Sequence, residues 1–244
     1  MREYRIEDCY TYKDSIMIGN TPIYIFEEHN MALPAWGVCS SRLGMPLNLV
    51  TFDCHTDTHH AFNSHIFDVT GEGPKLFKYG MKDPVIHELL KNVHYQISDF
   101  SFEELYKLSF DYVKNTEQIL CGVELGYLSS YTVINREYSA SMGYERDDRM
   151  NGYNATYISK ETWSQWSPFM VTDPILLDFD LDFFGSPDHF DNEFKNQAAP
   201  LIERATAITI AREPKFFEYC KTSDLYTNEL ALQQLLNFIR EVLD

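Results

Sequence analysis

Residues 175 to 184, ILLDFDLDFF, alternate carboxylates with large apolar side chains. A strand turns successive side chains to opposite faces. A strand from Ile175 to Phe183 would therefore present Asp178, Asp180 and Asp182 on one face and Leu177, Phe179, Leu181 and Phe183 on the other. Acids are poor strand formers, and burying unpaired carboxylates side by side costs on the order of several kcal/mol each. Protonation or a bound cation relieves that cost, unless the acidic face is simply wet.

A second cluster lies at Leu47 to His60, LNLVTFDCHTDTHH, where an apolar strand, Leu47 to Phe52, runs into Asp53, His55 and Asp57. In extended chain a spacing of two points these groups the same way, beyond the carboxyl end of the strand. Such a triplet suits a cation. A solvated polar loop is the alternative, and Cys54, between the ligands, is expected to face the core.

Apolar runs alternate with amphipathic stretches along the rest of the chain, the pattern of an α/β, three-layer domain with a mostly parallel central sheet. Further strands are expected at Ile23 to Phe26, Ile119 to Val123 and Ala207 to Ala211. Helices are expected at Asp83 to Val93, Phe102 to Lys114 (capped by Ser101, with Glu104 three residues on) and Thr227 to Leu243. The stretch Ser139 to Thr156 reads as a long surface loop, either a binding loop or unordered. With 244 residues and 44% hydrophobic content, the chain can bury a full core as a single domain, 1–244.

The net charge of −17 leaves few cations from which to build a nucleic-acid or anionic-membrane surface, although acidity alone also serves solubility. Cys9, Cys39, Cys54, Cys121 and Cys220 are odd in number and lack CxxC spacing, which favours neither a disulfide framework nor a zinc ribbon. The N-terminus has no apolar signal segment and no run is long enough to span a membrane, so a cytoplasmic protein is expected.

DCHTD, residues 53 to 57, and DFDLD, residues 178 to 182, resemble the metal-binding signatures of the arginase and agmatinase ureohydrolases. The Asp-x-His-x-Asp signature is present in full as Asp53, His55 and Asp57. In the Ser-x-Asp-x-Asp signature Asp178 takes the serine place, which makes Asp180 and Asp182 the implied ligands and Asp178 their support. The Gly-Gly-Asp-His signature is partly present: IYIFEEHN keeps His29 at a strand end, with Glu27 and Glu28 before it. ITIAREP places Glu213 where the family holds its substrate guanidinium, a residue type that suits two parallel charge-assisted hydrogen bonds. An Arg-Glu pair before Pro214 would also serve as an ordinary helix start. The combination of FEEH, DCHTD and LDFDLDFF looks closest to the peptide arginase branch, which converts arginine residues of a precursor peptide to ornithine.

The resemblance implies two Mn²⁺ ions held by His29, Asp53, His55, Asp57, Asp180 and Asp182, with Asp53 and Asp180 bridging. Asp57 would take a proton from water, and His59, His60 or His65 would return one to the leaving amine. For a free amino-acid substrate, Asn63 and Ser64 are the groups placed to grip the α-amine and α-carboxylate. For a peptide, the tyrosines between Tyr127 and Tyr157 could hold an extended chain or could equally pack inward. A hydrolase for free arginine or agmatine would share the six ligands. A deacetylase-like amide hydrolase would bind one zinc with His59 and His60 as its pair, and a non-catalytic protein would use the acids for a structural ion.

Overall fold

In a computed structural model, residues 15–71, 102–135, 148–149, 152–159 and 161–244 are described. The expected helix Asp83 to Val93, the Ser101 cap and Cys9 lie outside them. Among the described residues the sheet has seven strands: β1 (Ile16–Ile18), β2 (Thr21–Phe26), β3 (Leu47–Phe52), β4 (Leu128–Ile134), β5 (Ala155–Ile158), β6 (Ile175–Asp180) and β7 (Ala205–Ala211). Their spatial order is β1-β2-β7-β6-β3-β4-β5, and only the β1–β2 pair is antiparallel.

The helices are α1 (Ala32–Leu43), α2 (Asn63–Thr70), α3 (Phe102–Tyr112), α4 (Gln118–Glu124), α5 (Asn192–Arg204), α6 (Pro214–Cys220) and α7 (Asn228–Leu243). They cover both faces of the sheet, the arrangement that buries parallel strands on two sides. On one face Trp36 of α1, Leu105 and Leu108 of α3 and Ile119 of α4 pack with Tyr24, Phe26, Leu49 and Leu176. On the other, Phe194, Leu201 and Ile202 of α5 and Leu232, Leu235 and Ile239 of α7 pack with Phe52, Leu177, Phe179 and Ile210. The molecule is thus α/β with a mostly parallel sheet flanked by helices, consistent with three layers. No helix among the described residues is long and apolar enough to cross a membrane.

Aromatic stacking fixes the second face. Phe179 stacks on Phe52 with centroids 5.2 Å apart, and Phe194 meets Phe52 edge-on at 5.4 Å. Rings buried this way contribute about 2–3 kcal/mol apiece by burial and somewhat more by edge-to-face geometry.

Three sequence expectations need correction. Ile119 to Val123 is helical, not a strand: it forms the body of α4, and Gln118 through Gly122 are all buried. A short apolar run enclosed on all sides carries no periodicity to separate the two states. The strand beginning at Ile175 ends at Asp180, where a 3₁₀ turn, Leu181–Phe184, takes over. The Asp180 carboxylate starts that turn by accepting from the Asp182 backbone N–H at 3.1 Å. Of the expected loop Ser139 to Thr156, residues 139–147 and 150–151 lie outside the described residues, and its last two, Ala155 and Thr156, belong to edge strand β5 rather than to a loop.

Candidate metal centre

The carboxyl ends of four neighbouring strands, β2, β7, β6 and β3, deliver the chemistry-bearing side chains to one place. Ligands in open α/β sheets lie beyond these strand ends. His29 follows β2 on a 3₁₀ turn and is fully buried. Asp53, His55 and Asp57 follow β3, Asp180 ends β6 with Asp182 on the turn beyond, and Glu213 follows β7.

The β3 cluster does not converge by extended alternation. The chain bends after Phe52: the Asp53 carboxylate accepts from the His55 backbone N–H at 2.6 Å, and Asp57 sits at φ 49°. Glu213 likewise has φ 39°. Left-handed backbone costs a residue with a side chain on the order of 1–3 kcal/mol. Both positions carry a carboxylate into the same site.

Asp53 stands between the two imidazoles. The Nδ1 atom of His29 lies 2.9 Å from Asp57 Oδ2, 3.2 Å from Asp180 Oδ2 and 3.7 Å from Asp53 Oδ2. The Nδ1 atom of His55, which is partly exposed, lies 2.9 Å from Asp182 Oδ2 and 3.8 Å from the other Asp53 oxygen, Oδ1. Two compact groups of potential ligands result, His29–Asp53–Asp180 and Asp53–His55–Asp182, and they share Asp53.

Three observations fit these groups to a cation. His29 Nδ1, Asp53 Oδ2 and Asp182 Oδ2 are buried without a well-formed hydrogen bond, although atoms of suitable type lie near them. Donors about 2.1 Å from an octahedral ion sit roughly 3 Å from one another, the separation from the imidazoles to Asp57, Asp180 and Asp182, with Asp53 somewhat farther at 3.7 and 3.8 Å. Finally, the far nitrogen of His29, Nε2, donates to Asp178 Oδ2 at 2.8 Å, which leaves Nδ1 as the ring nitrogen that faces the other carboxylates. Metal-ligating histidines are held in just this manner by a carboxylate behind them.

The electrostatics agree. Burial, then the charges of Asp57, Asp182 and Asp180, drives the Asp53 carboxyl well above its ordinary value. Burial and Asp182 push Asp180 up to about 7, while the Asp182 carboxylate raises His55 to about 9. Burial pulls the His29 imidazole down, but Asp178, Asp180 and Asp57 outweigh it and hold it well above its usual range. So many buried acids in one place store repulsion that positive charge relieves. The described residues can hold a metal ion in these His/Asp groups.

Asp178 stands behind His29, against the middle of the sheet. It sits in register with Thr51 of β3 and Thr209 of β7. Both hydroxyls donate to its carboxylate, and Trp36 Nε1 donates to Thr209 Oγ1 at 3.2 Å. Glu213 is buried, accepts from the His29 backbone N–H at 3.0 Å, and is pushed up to about 9 by burial and by Asp180. Neighbouring Arg212 pairs with Glu27 at 2.8 Å, and Glu28 accepts from Asn115, so the two glutamates before His29 brace loops.

The other expected residues lie farther out. His59 is exposed, its backbone N–H donating to Thr116. His60 is half-buried, and burial holds its imidazole below the ordinary value. His65, on α2, meets the Tyr112 ring edge-on at 4.7 Å. Asn63 opens α2, and the Ser64 hydroxyl donates to Glu117 at 2.6 Å. Tyr131 and Tyr157 are buried, and both donate to Asp148, so these tyrosines pack inward. Asp53 joins both ligand groups, whereas Asp180 joins one.

Residues without a sequence signal complete the surroundings: Thr51 and Thr209 behind Asp178, Gln118 donating to Asp57 at 2.5 Å, and Asn135 donating to the Cys54 carbonyl at 2.7 Å. Polar residues within otherwise buried elements were the available hint. No protein-family model matches this chain, and no curated protein matches it either.

Proposed function

We propose that the chain is a metal-dependent hydrolase of the arginase type, acting on the guanidinium of arginine residues within a peptide to give ornithine and urea. The carrying observation is Asp53, whose two oxygens face the two different ligand groups, one oxygen toward each imidazole. That is the disposition of a carboxylate that bridges a pair of ions.

His29, Asp53, Asp180 and the adjoining Asp57 would hold one Mn²⁺, and Asp53, His55 and Asp182 the other. Carboxylates with two imidazoles suit manganese. When bound, such a pair supplies the Lewis acidity that makes water nucleophilic near neutral pH. The protein residues then have distinct tasks. Glu213 receives the guanidinium through paired charge-assisted hydrogen bonds, and the substrate's charge favours the ionised carboxylate that burial opposes. Asp57 accepts a proton from the attacking water. Water adds at the guanidinium carbon, the bond from that carbon to the side-chain nitrogen breaks, and the departing amine takes a proton. His59, His60 and His65, in the loop and helix after the β3 ligands, are the candidates to deliver that proton, and burial lowers the proton affinity of His60 among them.

Two features support a peptide over free arginine. Ser64, a group that would grip the amino-acid end, is engaged by Glu117 instead. Phe216 stands exposed and edge-on to His55 at 5.9 Å, an apolar surface at the mouth for residues flanking the arginine. Mass spectrometry of an arginine-containing peptide incubated with Mn²⁺-loaded protein tests the reading. Each converted residue loses the mass of cyanamide. An unchanged peptide alongside turnover of free arginine or agmatine would move the substrate to a small molecule, and no turnover of any of them would remove the hydrolase reading.

A further inference from the structure

Cys54 and Cys220 are 166 residues apart in sequence, yet their sulfur atoms lie 3.8 Å from each other. Cys54 sits on the β3 loop between Asp53 and His55, and Cys220 closes α6, the helix that begins after Glu213. A carboxylate oxygen of Asp182 completes a group whose donor atoms all lie within 4.8 Å of one another. Asp182 also accepts from the Cys54 backbone N–H at 3.2 Å, which ties the carboxylate to the cysteine loop.

The sulfur separation is informative. The Cys220 thiol donates to Cys54 Sγ at this distance, and two thiolates bound about 2.3 Å from a tetrahedral ion also stand roughly 3.8 Å apart, whereas a disulfide needs about 2.05 Å. The backbone behind Cys220 is closely seated. A Cβ added to Gly185 would collide with the Cys220 carbonyl oxygen, and Thr222 N–H donates to the Gly185 carbonyl at 2.8 Å. The backbone that carries the second sulfur is therefore held by packing against the end of the 3₁₀ turn that carries Asp182.

We propose that Cys54, Cys220 and Asp182 form a second, sulfur-rich cation site beside the His/Asp groups, selective for a thiophilic divalent ion of the Zn²⁺ or Cd²⁺ class. Thiolate donors favour such ions over Mn²⁺, while the His/Asp groups have no sulfur. The two sites share Asp182, so a thiophilic ion draws that carboxylate from His55. The two sulfur ligands belong to neither His/Asp group, so the test of sulfur ligation is read separately from the hydrolase reading.

Cd²⁺ added to the purified protein tests it through the ultraviolet thiolate-to-cadmium charge-transfer band, which no His/Asp site produces. The expected result is a band that saturates near one equivalent, with Cys220→Ser weakening Cd²⁺ binding at least about ten-fold and removing most of the band. A second measurement needs no variant: Cd²⁺ should protect Cys220 from alkylation, read by peptide mass spectrometry. Absence of the band, a Cys220→Ser protein that binds Cd²⁺ with the same band, or unprotected alkylation of Cys220 would each overturn the proposal. So would finding the two thiols already joined as a disulfide in the purified protein.

Discussion

The Nε2 atom of His29 donates to Asp178 at 2.8 Å, joining an imidazole beyond the sheet to a carboxylate held inside it by Thr51 and Thr209. This contact sets which nitrogen of His29 faces the acids. Asp178→Asn keeps the shape but removes the charge behind the ring. Loss of such a support costs about 10–100-fold in metal affinity. Mn²⁺ titration of the variant should show a loss of that size with the circular dichroism spectrum unchanged, and wild-type affinity would remove Asp178 from the account.

Asp53 carries opposite consequences in the two metal states. Its buried carboxylate faces Asp57, Asp180 and Asp182. Asp53→Asn should therefore raise the melting temperature of the metal-free protein by a few degrees, about 1–2 kcal/mol. Scanning calorimetry should also show that the variant has lost most of the stabilisation that added Mn²⁺ gives the wild type, since a ligand stabilises only the state that binds it. A variant that gains as much from Mn²⁺ as the wild type would contradict the bridging role. Asp53→Ala and Asp180→Ala should abolish urea release while the fold survives.

Glu213 separates substrate binding from metal binding. Glu213→Gln retains an acceptor for the His29 backbone N–H but loses the charge that pairs with a guanidinium. Activity should fall at least about 100-fold, roughly 2.7 kcal/mol of transition-state stabilisation, at unchanged metal content. A parallel loss of manganese would reassign Glu213 to holding the metal site together.

Gly185 is a packing position. Its backbone is not left-handed, so the prediction rests on space alone: a methyl group there collides with the Cys220 carbonyl. Gly185→Ala should destabilise the fold by about 1–3 kcal/mol in urea unfolding, and a neutral effect would mean that α6 shifts freely.

Much of the central sheet is legible in the sequence. Strands β2, β3, β6 and β7 are apolar runs bounded by polar or turn residues, and α7 shows helical spacing with Thr227 as its cap, accepting from the Leu230 N–H. Helix α1 was hidden because eight of its residues are buried and leave no polar face to mark a period. Strand β4 was hidden by Ser129 and Ser130 at its start, and α4 by its enclosure in the core. The site divides the same way. Spacing within one segment reveals Asp53, His55, Asp57, Asp180 and Asp182, but Thr51, Thr209, Gln118 and Cys220 matter only because the fold brings distant segments together.

Crystals grown with Mn²⁺ and measured at the manganese absorption edge address the central claim most directly. The account predicts two anomalous peaks, one beside His29 and one beside His55, with Asp53 between them. A single peak elsewhere, or none within reach of Asp53, would contradict it.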